Sequence, residues 1–526
     1  MLVMGIEGTA HTISASVLDQ EKIYSLESRT FTPEKGGINP REAADFHFSN
    51  IIGVLQKAIK DSGFSWKDLQ LIGFSKGPGL PPSLKITAVA ARSLSLKLNI
   101  PIVGVNHPLG HVEIGRRETG AQDPVMLYVS GGNTQIIAHR NGRYRVMGET
   151  VDIGIGNLLD KIARDMGYPF PGGPVIEKLA QKGSELLPLP YSVNGMDCSF
   201  SGIYTAAKKL LSDGNSQENV AFSVQEYAFA MLVETLERAL FISGKGELLL
   251  AGGVARNERL KQMITSMARD ADIRVFETPY KYCMDNGAMI GQAALLTYSN
   301  FGPQSMEETR IDKTYRIDAV DAPWVEEHEV EYRNRGAESV IESSHFHSWD
   351  TMVKKRKPKS YRVEKLDREI RKERIRNEIT MLWKLHNAGV NAPVVFSVDH
   401  EQTAMEMERI DGIQMSGLKE ISQTVLEDLA VCIDRMHNSS IIHGDLSMNN
   451  ILIKKGSLYL IDPSMGKMSE DMNDRAWDLR LLKESLISHF GQESWDTFSR
   501  LYAEISQEDA RVVEHLEKIE SRRRYA

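Results

Sequence analysis

Cysteine is nearly absent from this chain of 526 residues, and Cys198, Cys283 and Cys432 stand far apart with no Cys-x-x-Cys pair. A disulfide framework is excluded, and a reducing, cytoplasmic setting is the expectation. Long apolar runs are missing too. None approaches the ~20 residues of a membrane span, so no membrane association is expected. Residues 1–8 carry neither a basic n-region nor a cleavage site and read as a first β-strand, which signals no export. Positive charge is not in excess either: 63 basic against 71 acidic side chains leave a net charge of −8. The chain is therefore not a wholly basic nucleic-acid binder, and any contact with a phosphate backbone must be local.

What remains is an ordinary soluble composition, 41% hydrophobic and 25% charged, in a chain long enough for about three or four structural units. Residues 1 to about 320 alternate β-rich runs with amphipathic segments and hold paired glycines at 36–37, 131–132, 172–173 and 252–253. This is the pattern of α/β layers whose backbone turns face a ligand. Between residues 317 and 335 the periodicity fails in an acidic stretch containing Pro323. One domain is accordingly placed at 1–323, a linker at 324–335, and a smaller, more charged domain at 336–526. Within the first, residues 2–18 and 125–138 each read as strand, small-residue turn, strand. Such tips offer backbone amides to phosphate oxygens; the pair suggests a duplicated fold, with two unrelated hairpins as the alternative. Residues 247–257 add a buried strand, a double-glycine turn and a helix, where backbone closely approaches the ribose and base of a nucleotide.

His107 and His111 lie one helical turn apart in Asn106-His-Pro-Leu-Gly-His111, so both rings share a helix face and reach one metal ion. Pro108 is compatible with a helix because the first turn needs no amide donor there. A carboxylate, Asp285, stands far downstream in Met284-Asp-Asn286. Taken alone, the spacing also describes two core histidines, Asp285 reads as the N-cap of a helix over 287–296, and Tyr128 reads as a strand residue.

A more specific signal comes from a set of motifs in order: Ser75-Lys-Gly-Pro-Gly-Leu80, Asn106-His-x-x-x-His111, Tyr128-Val-Ser-Gly-Gly-Asn-Thr-Gln135, Asn157-x-x-Asp-Lys-x-Ala-Arg164, Pro171-Gly-Gly-Pro-x-Ile-Glu177, Phe200-Ser-Gly202, Gly252-Gly-Val-Ala-x-Asn257 and Asp285-Asn286. Through them residues 1–320 resemble the archaeal and eukaryotic tRNA threonylcarbamoyladenosine transferase, the catalytic subunit of the KEOPS complex. That family has the actin-like ATPase (ASKHA) fold of two duplicated α/β subdomains. The resemblance implies a mononuclear iron site held by His107, His111, Tyr128 and Asp285, whose imidazole, phenolate and carboxylate donors suit iron better than a thiolate-rich set would. It also implies that Tyr128, Val129, Ser130, Gly131, Gly132 and Asn133 hold the phosphate and carbamoyl region of threonylcarbamoyl-AMP. Asp160, Gly173, Glu177 and Asn257 then line its sugar and base, since carboxylates accept from ribose hydroxyls and glycine admits close approach. A helix-surface Asp160 and a capping Glu177 are the structural alternatives. The implied reaction moves threonylcarbamoyl to the exocyclic amine of adenosine 37 in tRNAs reading codons that begin with A, with a metal as Lewis acid. The implied partners are tRNA and the other KEOPS subunits. Glu7 stands where actin-like ATPases usually place Asp, which argues against ordinary ATP hydrolysis in this half. Pro81 and Cys198 also depart from the pattern, and neither removes a proposed ligand.

Residues 441–453, Ile-Ile-His-Gly-Asp-Leu-Ser-Met-Asn-Asn-Ile-Leu-Ile, form a close variant of the kinase catalytic loop. There Asp445 accepts the proton of an attacking hydroxyl and Asn450 holds magnesium. Asp462 follows at the right distance as a second metal ligand, with Pro463-Ser464 in place of the usual Phe-Gly. Lys354, with Lys355 close behind, reads as the ATP lysine, and Glu378 as its partner on the next helix. Neighbouring strand residues face opposite ways, so only one lysine serves. Solvent-exposed lysines and a surface ion pair for Glu378 are the alternatives. There is no Gly-x-Gly-x-x-Gly loop, only Arg335-Gly-Ala-Glu-Ser-Val-type residues at 335–340, and no Ala-Pro-Glu segment. This truncated plan resembles the small atypical kinase of the same KEOPS complex. It implies ATP and magnesium, with ATP hydrolysis or phosphorylation of a few partners. Basic runs at 354–359 and 368–376, and above all the tail Arg522–Arg524, are candidates to follow a tRNA backbone.

The expectation is an α/β protein with a duplicated actin-like ATPase fold followed by a small bilobal protein-kinase-like α+β domain, acting as a bifunctional tRNA-modifying enzyme. A metal-dependent peptidase half with a regulatory ATP-binding module is the alternative, although His-Pro-Leu-Gly-His lacks the Glu that a His-Glu-x-x-His site uses as base.

Overall fold

Strand β1 (Val3–Glu7) is apolar up to its last residue, and both of its faces are covered. Met4 and Ile6 pack with Ile13, Val17, Ile51 and Val54, while Val3 packs with Leu71, Val103 and Ala294. Burial on both sides is what a sheet between helical layers requires. In the computed structural model, which describes residues 1–32, 38–328, 330, 339–506 and 511–516, β1 pairs antiparallel with β2 (Thr12–Leu18) and parallel with β4 (Leu71–Gly77). With β3 (Ile23–Thr30) and β5 (Ile102–Asn106) they form a sheet in the order β3-β2-β1-β4-β5. Helices α1 (Pro40–Ser62) and α2 (Pro81–Leu98) cover one face, and α3 (His107–Thr119) leaves β5.

A second sheet repeats this plan. Strands β6 (Val125–Val129), β7 (Thr134–Arg140), β8 (Arg143–Glu149), β11 (Glu247–Ala251) and β12 (Arg274–Glu277) pair in the order β8-β7-β6-β11-β12, with the same parallel and antiparallel neighbours. The hairpins β1–β2 and β6–β7 hold the same place in each sheet, so a duplicated fold accounts for them and two unrelated hairpins do not. Helices α4 (Ile155–Asp165), α5 (Gly173–Ala180), α6 (Ser201–Ser212), α7 (Gln217–Ser243) and α8 (Glu258–Ala271) belong to this second copy, with a short hairpin, β9 (Val193–Asn194) and β10 (Asp197–Cys198), before α6. After β12 come α9 (Tyr280–Cys283) and α10 (Gly287–Phe301), and α10 lies directly on β1. A Cβ built on Gly5 would overlap the Gly287 carbonyl and the Gly291 amide, so this contact has no room for a side chain. Such close approach brings the start of α10 to the end of the first sheet.

By contacts the chain divides into two units, the first mainly Met1–Tyr191 with Cys198–Glu331, the second mainly Tyr332–Arg524 with Ser192–Asp197. Length alone suggests three or four, but both copies of the repeated sheet share the first. The first unit also runs beyond residue 323. The Ala322 amide bonds the Gly142 carbonyl, Trp324 Nε1 donates to Glu113 at 2.9 Å, and the His328 amide donates to Asp123 at 2.7 Å. Polar composition there marks a strap with few apolar anchors, Ala322 and Val325 among them. Residues 329 and 331–335 of the expected linker, like the tail Arg522–Arg524 and Gly36-Gly37, lie outside the described residues.

In the second unit, β13 (Ser339–Phe346), β14 (Trp349–Arg356), β15 (Val395–Asp399) and β16 (Ala404–Glu408) form an antiparallel sheet, β13-β14-β16-β15, accompanied by α11 (Glu364–Asn387). The rest is mainly helical, with α12 (Gln423–Asn438), α13 (Met472–Phe490) and α14 (Gln492–Ile505) packed through Leu429, Ile433, Leu479, Leu482 and Phe498. Short strands β17 (Ile413–Gln414), β19 (Ile451–Lys454) and β20 (Ser457–Leu460) make one small sheet, and β18 (Ile441–Ile442) with β21 (Lys467–Met468) another. Among the described residues no helix is long and apolar enough to cross a membrane.

Candidate functional site

Helix α3 starts where β5 ends. Asn106 caps it, its side chain accepting from the Leu109 amide at 3.0 Å, and Pro108 falls in the first turn. The face so presented carries His107 and His111, both buried, their rings 4.9 Å apart. Asp285 comes from the start of α10, where Asn286 rather than Asp285 is the N-cap and accepts from the Met289 amide at 3.0 Å. The capping alternative for Asp285 is thereby corrected: the neighbouring amide side chain does that work and leaves the carboxylate to face the histidines. Asp285 Oδ1 lies 3.2 Å from His111 Nε2 and 3.4 Å from His107 Nε2, and the Tyr128 hydroxyl, at the end of β6, lies 3.3 Å from His107 Nε2.

These edges test the fit of a metal. Nitrogen and oxygen donors about 2.0 Å from a tetrahedral ion stand about 3.3 Å apart, and three of the edges, two from Asp285 and one from Tyr128, are 3.2–3.4 Å. His107, His111 and Asp285 are also the group of ligand-type side chains that the described residues bring within 4.8 Å of one another. Imidazole, phenol and carboxylate donors together suit iron or another borderline ion. Burial alone disfavours the charged form of His107, but Glu7 and Asp285 outweigh it and lift its pKa to about 10. His111 goes the other way, since its burial prevails over Asp285 and lowers it. Burial would raise Asp285, yet His107 above all holds it well below the usual carboxylate range. Without an ion His107 is thus the charged histidine of the pair.

Beyond Tyr128, strand β6 continues through Val129 into the turn Ser130–Asn133. The Ser130 amide donates to the Asn133 carbonyl at 2.8 Å, and the Asn157 amide at the start of α4 donates to the Gly131 carbonyl at 2.8 Å. Glycines here divide into two kinds. At Gly156 a Cβ would stand 2.6 Å from the Ser130 carbonyl, so packing requires glycine. At Gly132 and Gly253 a Cβ would meet nothing within 4 Å, at Gly131 and Gly173 only one atom at 3.9 Å, and none of these four has positive φ. Neither packing nor backbone conformation accounts for them, and the space beside them is open to a ligand.

Asp160 on α4 accepts from the Gly172 amide at 2.7 Å, and its burial outweighs such bonds and raises its pKa. Glu177 on α5 accepts from the Glu258 amide at 2.8 Å, so it does cap the start of α8. Asn257 is the N-cap of α8, accepts from the Arg259 and Leu260 amides, and donates to Gln225 at 3.1 Å. Asp160, Gly173, Glu177 and Asn257 are thereby linked through α4, α5 and α8, and each residue has a structural partner of its own.

In the second unit, Lys354 on β14 is buried and pairs with Glu378 on α11 at 2.6 Å and with Asp462 at 2.8 Å. Burial disfavours its charge, but Asp462 and Glu378 prevail and raise its pKa. Lys355 points the other way, exposed beside Gln402. Arg356, two residues on and so on the same face as Lys354, also meets Glu378 at 2.7 Å. The surface-pair alternative for Glu378 is thus corrected; in the basic run 354–359, Lys354 and Arg356 face inward while Lys355 and Lys357 are exposed. In the catalytic-loop segment Asn450 Nδ2 donates to the Asp445 carbonyl at 2.8 Å and to its carboxylate at 3.1 Å. Asp478 on α13 accepts from the His443 amide at 2.6 Å and the Gly444 amide at 2.8 Å, fixing that loop from below. Sequence reasoning missed Arg356, Asp478 and the contact of Glu7 with His107, 3.1 Å from Oε2 to Nδ1. Period-two spacing from Lys354 was the available signal for Arg356, and a lone acid ending an apolar strand was the signal for Glu7; Asp478 gave none.

Residues 22–292 match the family described as tRNA N6-adenosine threonylcarbamoyltransferase, and residues 339–479 match the RIO domain. The chain is 54% identical over 488 residues to the probable bifunctional tRNA threonylcarbamoyladenosine biosynthesis protein of Thermoplasma acidophilum, covering 92% of each. It is 48% identical to the protein of the same description in Thermoplasma volcanium and 40% identical to that in Methanocaldococcus jannaschii, in both cases over 100% of each chain.

An ion entering the His107–His111–Asp285 cluster displaces the proton of His107. At pH 7, well below about 10, calorimetry in buffers of different ionisation enthalpy is expected to show about two protons released per metal bound, one from His107 and one from the Tyr128 hydroxyl, with affinity rising as pH rises. In Tyr128→Phe about one proton is expected, and none would remove His107 from the ligand set. Gly132→Ala is expected to leave thermal stability unchanged, because its Cβ meets nothing, while weakening AMP binding. Equal binding in variant and parent would show that no ligand uses that space.

Proposed function

This chain belongs to the family of bifunctional tRNA threonylcarbamoyladenosine biosynthesis proteins, and we propose that its two sites divide that biosynthesis between them. It is a tRNA N6-adenosine threonylcarbamoyltransferase fused to a RIO-type kinase or ATPase. Residues 1–323, with the strap that follows, are the transferase; 336–526 are the ATP-using domain. The observation that carries this reading is the buried donor cluster of His107, His111, Asp285 and Tyr128, continuous along β6 with a glycine turn that leaves room for a ligand.

In the first site His107, His111, Tyr128 and Asp285 hold one iron ion, which when bound supplies a Lewis acid for the carbamoyl carbonyl of threonylcarbamoyl-AMP. Amides of Gly131 and Gly132, within the turn that the Ser130 and Asn133 amides close on themselves, take the AMP phosphate, as turns of small residues do. Asp160 and Glu177 accept from the ribose hydroxyls, and Gly173 and Asn257 border the sugar and base. The exocyclic amine of adenosine 37 bonds to the carbamoyl carbon while the carbon–oxygen bond to AMP breaks; AMP leaves with that electron pair, and the amine gives up one proton to solvent. Glu113, the one carboxylate on α3 near the histidines, is taken up by Tyr144, Trp324 and Arg116. It offers no base to a peptidase, and that reading is not supported.

In the second site Asn450 and Asp462 hold magnesium, Lys354 takes the ATP phosphates with Glu378 behind it, and Asp445 receives the proton of the attacking hydroxyl or water. The enzyme works in the cytoplasm on tRNA, with other KEOPS subunits as partners.

The purified chain, given threonylcarbamoyl-AMP and tRNA, is expected to modify adenosine 37, with about one iron per chain in the same sample. His107→Ala is expected to lose metal and transfer together; full transfer by a metal-free variant sinks the site. Asp445→Ala is expected to abolish ATP turnover while metal content stays unchanged, and unaltered hydrolysis would move the phosphoryl-transfer site elsewhere.

A further inference from the structure

Glu7 closes an otherwise apolar strand and is wholly buried. Its two carboxylate oxygens serve different neighbours. Oε1 accepts from the amide of Thr9 at 2.7 Å and from the Thr9 hydroxyl at 2.6 Å, while Oε2 lies 3.1 Å from Nδ1 of His107. Thr9 Oγ1 lies 3.2 Å from the same nitrogen, but its hydrogen is engaged by Glu7, so it too faces Nδ1 as an acceptor. His111 has no such support: its Nδ1 is buried without a hydrogen-bond partner among the described residues.

An imidazole that offers Nε2 to a metal carries its proton on Nδ1, and the acceptor at Nδ1 selects that tautomer. A carboxylate has no hydrogen to give, so beside Glu7 only the Nδ1–H form is satisfied. We infer that Glu7 is the positioning residue of the metal centre, holding His107 in the tautomer and rotation that present Nε2 to the ion. The inference rests on the metal site proposed above. Its contacts are with Thr9 and His107, and it acts through His107. The first hairpin is thereby fixed to the ligand as well, since the Gly8 amide donates to Ser75 Oγ at 3.1 Å and the Leu80 amide to the Thr9 carbonyl at 2.7 Å.

Glu7→Gln tests this with almost no change of volume. The two Thr9 donors hold the amide oxygen, which turns the NH2 group onto Nδ1 of His107 and forces the proton to Nε2, the tautomer that does not ligate. In the full chain, metal affinity measured by chelator competition is expected to fall about 10- to 100-fold. The phenolate-to-iron charge-transfer band contributed by Tyr128 is expected to change with it. In a His107→Ala background, assayed at higher metal concentration, the same substitution is expected to cost nothing further. Glu7→Asp keeps the charge but lacks the reach and is expected to lose an intermediate factor; it decides by the same two comparisons where Glu7→Gln does not fold. Unchanged affinity in a folded variant, or equal losses in both backgrounds, overturns the inference. Failure of the unsubstituted chain to bind iron or zinc would instead sink the metal site itself.

Discussion

Much of the first unit is organised around one contact between opposite charges: buried His107 between buried Glu7 and the partly exposed Asp285. Burying any one of these groups unpaired costs several kcal/mol. Together they are tolerable, and the pairing dictates which ends of the chain must meet. Residues 7, 107 and 285 come from a strand end, a helix start and a second helix start, and these converge only because α10 sits on β1 through Gly5, Gly287 and Gly291 with no side chain between them. Small residues in the packing layer thus set the geometry of large polar ones at the edge.

The second unit solves a related problem differently. Lys354, Arg356, Glu378 and Asp462 form a buried network with cations and acids in equal number. It joins the sheet, α11 and the segment after β20. Asn377, one residue before Glu378, donates to the Ser464 and Gly466 carbonyls at 3.0 and 2.6 Å and holds that segment against the helix.

The fold was legible where periodicity and turn chemistry agree. Strand β1, its glycine turn and β2 recur as β6, turn and β7, and this echo in the sequence was enough to suggest duplication. The i, i+4 spacing of His107 and His111 survived Pro108 because the proline occupies the first turn and Asn106 caps it. Other features depended on neighbours distant in sequence. Asp285 and Asn286 are both good caps, and only packing against α3 decides which one turns toward the histidines. The acidic stretch after residue 317 looked like a linker because its anchors are few, yet Trp324 and His328 reach Glu113 and Asp123, some two hundred residues away. Asp478 is one acid among many on an amphipathic helix, and nothing local distinguishes it.

Duplication has one more outcome. His107 and His111 follow β5, the last strand of the first sheet, and Asp285 follows β12, the last strand of the second. Glu7 ends β1 and Tyr128 lies near the end of β6, the first strands of the two copies. The donors therefore draw on both halves of the repeat in sequence, a set that neither half supplies alone. Tyr128 stands on the second sheet while Asp285 precedes the helix packed on the first, so the set of donors is complete only while the two sheets stay together.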